Sequence, residues 1–250
     1  MGYRPRQDPE LISQRPLEFG ALSGWRSPRT RSSAIYSAPV RAKNSLPASF
    51  YQRPADVVAR DLLGRHLIRE LPAGRIVVRL VEAEAYAGPH DRASHAYRGR
   101  RTPRNESMYL AGGHAYVYRI YGIHFCLNVV TGPAGEGIAV LLRAGEILEG
   151  VELVRQNRPG EISAHRLLAG PGNLTRGLSV GKELDTVRLD RGELRLAAGE
   201  PVAESAILSG PRVGCESAGE AAGWPLRYAV AGSRAVSSPR PTVPFRPTAC

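Results

Sequence analysis

Two glutamates inside an apolar run, followed within about twenty residues by a strip of arginines, carry most of the chemistry in this chain. In RIVVRLVEAEAY the two-residue period of a strand puts Ile76, Val78, Leu80, Glu82, Glu84 and Tyr86 on one face. An acid on an apolar face must be paired, protonated or functional, because burying an unpaired carboxylate is costly. Burial also moves its pKa towards a value useful to a general base. The competing reading is an ordinary ion pair with one of the many arginines, and the pattern alone leaves both open.

Tyr86, His90 and His95 follow in a loop broken by Gly88-Pro89, a composition that suits stacking on a flat ligand. Each of these residues taken singly is structural as readily. His90 and His95 have no third metal ligand nearby, so no metal site is expected. The strip Arg98, Arg100, Arg101 and Arg104 contains Gly99 and Pro103, which makes it a loop. With Thr102 and Asn105 it is dense in donors that hold phosphates without reading sequence. A solvated charge run is the alternative. Tyr121-Gly122 falls between two β-rich runs, so an aromatic stands at a hairpin tip. It either inserts between stacked bases or folds back onto the core.

The positioning elements read as follows. PADVVARDLLG has Pro54 in the first turn, apolar Val57, Val58, Leu62 and Leu63, and Gly64 past the end, the marks of a helix. Strands are expected over 65–71 and 75–86 around Pro72-Ala73-Gly74, over both arms of 115–131, and over 138–146. Shorter ones are expected at 186–190, 193–197, 211–214 and 226–230. Residues 148–157 read as a helix, and 164–170 as a short helix closed by Gly170. The fold class expected is α+β: a single compact mixed domain, a curved antiparallel β-sheet with surrounding helices and a protruding β-hairpin. Residues 1–45 read as a disordered basic Arg/Ser/Pro-rich tail and 237–250 as a disordered Pro-rich tail.

At 250 residues the chain can bury a sizeable core, and its net charge of +11 favours an anionic partner. Only Lys43 and Lys182 are lysines, so arginine supplies nearly all the positive charge. That suits bidentate phosphate contacts, although GC-rich codons would give the same bias. Three cysteines, far apart and with no CxxC, argue against structural zinc. No apolar run approaches the ~20 residues of a membrane span, and no signal-peptide core is visible, so a soluble cytoplasmic protein is expected.

Five segments in order, EAEAYAGPHDRASHAYRGRRTPRN, AYVYRIYGIHFCLNVV, VLLRA, LAGPGNL and PRVG, resemble the signature segments of the alkyladenine (3-methyladenine) DNA glycosylases. The resemblance covers residues 46–236. It implies a monofunctional enzyme, acting as a monomer without cofactor or metal, nucleoid-associated if bacterial. Its partner would be double-stranded DNA containing damaged purines, alkylated or deaminated, each flipped out and hydrolysed at the N-glycosidic bond to leave an abasic site.

By the same resemblance, Glu84 would activate the attacking water, Arg143 would help hold it, and the main-chain carbonyl of Val213 would be its third partner. Tyr86, His95 and Tyr118 would enclose the flipped base, with Asn128 where a guanine 2-amino group would sit. Tyr121 would fill the gap left in the helix. Arg100 and Thr102 would grip the backbone, with Arg101 and Arg104 in the same phosphate-binding strip. For Tyr118 and Asn128 to share a face, the hairpin must have a three-residue tip, Tyr121-Gly122-Ile123, with a positive φ at Gly122 or a neighbour. The alternative is a non-catalytic nucleic-acid-binding module, for which Glu84 would be a plain ion-pair partner.

Overall fold

The computed structural model describes residues 44–246. The basic tail expected over 1–45 lies almost wholly outside them, as do residues 247–250. The described chain is an α+β domain on one antiparallel sheet, with few and short helices. Its strands are β1 (His66–Leu71), β2 (Gly74–Tyr86), β3 (Ala115–Ile120), β4 (His124–Thr131), β5 (Ile138–Glu149), β6 (Leu194–Ala197), β7 (Ile207–Gly210), β8 (Arg227–Val230) and β9 (Val243–Pro244). Their order along the sheet is β3-β4-β5-β2-β8-β7-β9. On one edge of β2, β1 pairs its first half and β8 its second, while β1 also carries β6. Among the described residues, no helix is long and apolar enough to cross a membrane.

Among the described residues there are four α-helices: α1 (Ala48–Tyr51), α2 (Ala55–Leu62), α3 (Val151–Asn157) and α4 (Pro171–Gly177). In α2 the residues Ala55, Val58, Ala59 and Leu62 recur at helical spacing, and all are buried. Gly64 ends it at φ 84°, where a Cβ would lie 2.0 Å from the Glu200 carbonyl oxygen. The helix expected over 164–170 is instead a single turn at Ala164–Arg166, and α4 begins just after Gly170, with Pro171 in its first turn. Strands expected at 186–190 and 211–214 are loops. A strand does form just before the second, at Ile207–Gly210, and ends where Pro211 cannot donate to the ladder.

One expectation is overturned in β2. Ile76, Val78 and Leu80 do face the main core, but beyond them the core residues are Val81, Ala83 and Ala85. The pairing with β5 explains the change. Leu80 pairs with Gly145 and Glu82 with Ala144, so Val81 is an extra residue; Ala83 then pairs with Leu142, so Arg143 is extra on β5. These two opposed bulges invert the side-chain alternation of β2 and then restore its register. Glu82, Glu84 and Tyr86 therefore point away from the core that holds Ile76, Val78 and Leu80. Gly145 sits at this crossing, where a Cβ would lie 2.1 Å from Val78 Cγ1 and 2.9 Å from the Arg79 carbonyl oxygen. Gly145→Ala should destabilise the domain by about 1–3 kcal/mol through overpacking, read as a lowered urea midpoint. An unchanged midpoint would mean that β2 and β5 part easily there.

The hairpin matches its expectation. Ile120 pairs with His124, leaving Tyr121-Gly122-Ile123 as the tip, with φ of 51° at Tyr121 and 70° at Gly122. Tyr116, opposite Asn128, and Tyr118, opposite Cys126, then lie on one face. The Pro-rich end, expected to be disordered, is described as far as Arg246. Ser237 is buried, Val243–Pro244 adds a short strand beside β7, and the Phe245 ring lies 5.9 Å from that of Tyr228. Prolines are tolerated there because an edge strand leaves one side of its ladder unpaired.

Candidate active site

A cavity of about 340 Å³ opens between β3, β4, the N-terminus of α4 and the loop after β7. Tyr86, His95, Tyr118, Asn128, Arg143 and Val213 all line it. Tyr121 stands at its mouth with 82% of its surface exposed, and Ile123 beside it is 71% exposed, so the tip does not fold back onto the core.

Glu84 lies directly behind the cavity floor, fully covered. Its Oε1 accepts from the Val213 amide at 2.8 Å and lies 3.1 Å from Nη1 of Arg143, while its Oε2 accepts the Tyr86 hydroxyl at 3.0 Å. Burial, with the Glu84 charge nearby, pushes the Tyr86 phenol well above its ordinary pKa, so it stays protonated as a donor. Three residues that line the cavity thus converge on one carboxylate.

Glu82 is the paired acid. Its Oε1 accepts from Arg143 Nε at 2.7 Å, Arg227 Nε at 2.8 Å and the Ser237 hydroxyl at 2.8 Å; its Oε2 accepts the Ser237 amide at 2.7 Å. Burial raises its pKa, but Arg143 and Arg227 more than offset this, and the carboxyl lies below its ordinary value. Arg143 reaches both acids because it is the extra residue of the β5 bulge.

Val213 is placed by its neighbour. Arg212 is fully buried and ion-paired to Asp91, with further bonds to the carbonyls of Ala85 at 2.9 Å and Ala221 at 3.2 Å. Its guanidinium lies 4.8 Å from the centre of the Tyr86 ring. Asp91 also accepts the amides of Ala87 and Ala93, which shapes the loop after β2. One buried pair therefore ties the Tyr86 loop to the Val213 loop.

The opposite wall is aromatic. The rings of Tyr116 and Tyr118 are 5.2 Å apart and tilted by 33°, and His95 meets Tyr118 edge-on at 4.7 Å. His95 Nδ1 is 2.8 Å from the Tyr116 hydroxyl. Although much of His95 is open to solvent, its ring is enclosed by these tyrosines. That desolvation, with Arg104 and Arg100 nearby, lowers its pKa below the usual imidazole value. Asn128, buried between β3 and β5, donates its Nδ2 to the Tyr116 carbonyl at 3.0 Å.

The arginine strip divides. Arg100, Thr102 and Arg104 line a second recess of about 260 Å³ with Arg92 and Asn105, and His95 lines both cavities. Thr102 is fixed by Asn105, whose Oδ1 accepts its amide at 2.7 Å and its hydroxyl at 2.9 Å. Arg104 donates to the Arg119 carbonyl and lies 5.6 Å from the Tyr118 ring centre. Arg101 points elsewhere: it is paired with Glu106 and lies 4.8 Å from the Tyr109 ring centre.

Several participants escaped the sequence reading. Tyr116 carried a signal, since it stands two residues before Tyr118 on the same strand face. Cys126 and Cys215 also line the cavity. Arg227 and Ser237 carried none, because they meet Glu82 from 145 and 155 residues away.

The model of a family described as methylpurine-DNA glycosylase matches residues 49–234. A protein of the archaeon Methanocella arvoryzae, named putative 3-methyladenine DNA glycosylase, is 45% identical over 197 residues, which is 78% of this chain and 97% of its own. A protein of Myxococcus xanthus with the same name is 46% identical over 198 residues, 79% and 96% of the two chains. The human DNA-3-methyladenine glycosylase is 41% identical over 222 residues, 82% and 72%.

Proposed function

The chain belongs to the methylpurine-DNA glycosylase family, and from that we propose that it excises damaged purines from duplex DNA by flipping the nucleotide into the aromatic cavity and hydrolysing its N-glycosidic bond with a water activated by Glu84. The family makes it a DNA-3-methyladenine glycosylase, a hydrolase of N-glycosyl bonds in base-excision repair. The observation that carries the mechanism is the convergence of Arg143, Val213 and Tyr86 on one buried carboxylate at the cavity floor.

The steps follow from the chemistry of these groups. A base inside a duplex cannot be reached, so the nucleotide is extruded, at least cost where damage already weakens pairing. Tyr86 on one side and His95 with Tyr118 on the other enclose the base. A purine alkylated on a ring nitrogen is cationic and gains about 0.5–2 kcal/mol over tyrosine faces. As the bond from C1′ to the base lengthens, the sugar takes oxocarbenium character, as in glycoside hydrolysis. The bonding pair leaves with the base, neutralising an alkylated one. Water adds to C1′ and gives its proton to Glu84, whose Oε2 bonds only Tyr86 among the described residues and so keeps an acceptor site. Arg143 and the Val213 carbonyl orient that water. The lowered pKa of His95 works against an imidazolium as proton donor to neutral bases.

Arg100, Thr102 and Arg104 would hold phosphates beside the cavity, while Arg101 has Glu106 as a competitor. Tyr121, exposed at the tip, would fill the gap in the helix. Tyr121→Ala should weaken binding to a lesion duplex roughly ten- to a hundredfold, stacking on a base being worth about 1–3 kcal/mol. Fluorescence anisotropy reads this directly; unchanged affinity would mean that the tip does not enter the helix. The function is tested by single-turnover release of free base from duplexes carrying one hypoxanthine, one ethenoadenine or alkylated purines. Release leaving an abasic site is expected from one or more of them. Salt-sensitive binding with no release from any would make the protein a binding module.

A further inference from the structure

The segment that follows β8 reaches into the site through a single residue. Ser237 gives Glu82 two donors, its amide at 2.7 Å and its hydroxyl at 2.8 Å. The same hydroxyl oxygen accepts from Nη2 of Arg143 at 3.2 Å. Arg227 Nη2 donates to the Ser237 carbonyl at 3.2 Å. Ser237 is thus bonded to every member of the buried cluster except Glu84, and neither it nor Glu82 lines the cavity.

The geometry of Arg143 gives this a purpose. A guanidinium has five N–H donors in a rigid plane. Here Nε is held by Glu82 and Nη2 by Ser237, on one side of the plane, which turns Nη1 towards Glu84 at 3.1 Å. Without the hydroxyl, Glu82 alone would hold the fork, through one atom. The plane could then pivot about the Nε contact, and Nη1 would lose its aim. Four charged groups, each at most about 6% exposed in its side chain, balance to zero: Glu82 and Glu84 against Arg143 and Arg227. So neutral an assembly has little tendency to recruit or expel an ion. Its order depends on directional bonds, and Ser237 takes part in five of them.

We propose that Ser237, held in place by the C-terminal segment through Arg246, is a positioning residue for the reaction: with Glu82 it sets the orientation of the Arg143 guanidinium towards Glu84. The anchoring of that segment is part of the device. The Phe245 amide donates to the Ile207 carbonyl at 2.9 Å, and Arg60 lies 4.7 Å from the Phe245 ring centre. The chain end, distant in sequence, thereby holds the floor of the cavity. The inference rests on the role given to Glu84 above.

The test compares the full chain with Ser237→Ala, Ser237→Thr and, as a control on that role, Glu84→Gln. Three quantities are read: the single-turnover excision rate at saturating enzyme, the Kd for the lesion duplex, and the melting temperature. Ser237→Ala should slow excision roughly tenfold, the scale expected when a reacting group is slightly misplaced. Its Kd should stay within about twofold of wild type, and Ser237→Thr, which keeps the hydroxyl, should recover most of the rate. A wild-type rate in Ser237→Ala, or a threonine variant as slow as alanine, would overturn the proposal. So would a Kd that weakens in step with the rate, since that marks a merely structural role. If Ser237→Ala does not fold, Ser237→Cys keeps the volume with a much poorer donor and acceptor, and the same outcomes apply to it. Should Glu84→Gln turn over normally, the reading of Glu84 fails first, whatever Ser237 does.

Discussion

Glu84→Gln should lose excision by about a thousandfold or more while binding a lesion duplex within a few-fold of wild type. The substitution keeps the shape. A glutamine oxygen can accept from the Val213 amide and Arg143 as Oε1 does, and its amide can donate to the Tyr86 hydroxyl. Basicity and the negative charge are lost. General-base catalysis contributes about 10²–10⁴-fold in enzymes, and in the proposed mechanism the carboxylate would also face the developing positive charge of the sugar. Binding should persist, because the aromatic walls, the hairpin tip and the arginine recess are untouched. The decisive measurement is single-turnover release beside an equilibrium Kd on the same duplex. An excision rate within tenfold of wild type would remove Glu84 from the mechanism and leave it as the ion-pair partner that the arginine-rich sequence equally allows.

The neighbouring acid should behave in the opposite way. Glu82→Ala is expected to destabilise the domain by about 3–5 kcal/mol, the cost of removing one side of a buried ion pair. Two guanidiniums, Arg143 and Arg227, would lose the carboxylate they share, and Ser237 would lose the acceptor of two donors. Deleting Glu106, whose pair with Arg101 is half exposed on both sides and screened by solvent, should leave the urea midpoint almost unchanged. Urea denaturation of the two variants makes the comparison. A Glu82→Ala loss as small as that of the exposed pair would show that the buried cluster contributes no net stability.

A pH dependence follows from the same group. The Glu82 pKa is depressed in the folded state, so the folded protein binds fewer protons there than the unfolded chain. Its contribution is present above the ordinary carboxylate pKa and disappears as pH falls through the folded value. Wild-type stability should therefore fall on acidification below about pH 4.5, and Glu82→Gln should show a shallower fall over that window. Equal slopes in the two proteins would contradict the assignment.

Much of the site was readable because it lies in local patterns. The hairpin tip follows from counting residues between two β-rich arms under the demand that Tyr118 and Asn128 share a face. The arginine strip follows from density alone, although only the structure separates Arg101, committed to Glu106, from Arg100 and Arg104. The face of Glu84 was misread for a physical reason. Period-two alternation assumes an unbroken ladder, and neither bulge has a Gly or Pro at the extra residue to mark it. Composition reports on propensity, so nothing in the Pro-rich end points to Ser237 having Glu82, Arg143 and Arg227 as partners. Contacts to Glu82 and Arg143, 155 and 94 residues away, leave no trace in local periodicity.

The opposed bulges at Val81 and Arg143 make catalysis depend on a count. Removing Val81 alone would change the make-up of β2 by one apolar residue, yet it would force the strand to choose which half keeps its partners on β5. If the first half held, Ala83 and Ala85 would still fill the core but slide by one partner along β5, carrying Glu84 past Arg143. If the second half held, Ile76, Val78 and Leu80 would be the ones displaced. Every substitution tolerated in this strand leaves that arithmetic alone, and a single codon lost does not. The segment should thus accept changes of residue far more readily than changes of length, and a homologue lacking one bulge is expected to lack the other as well.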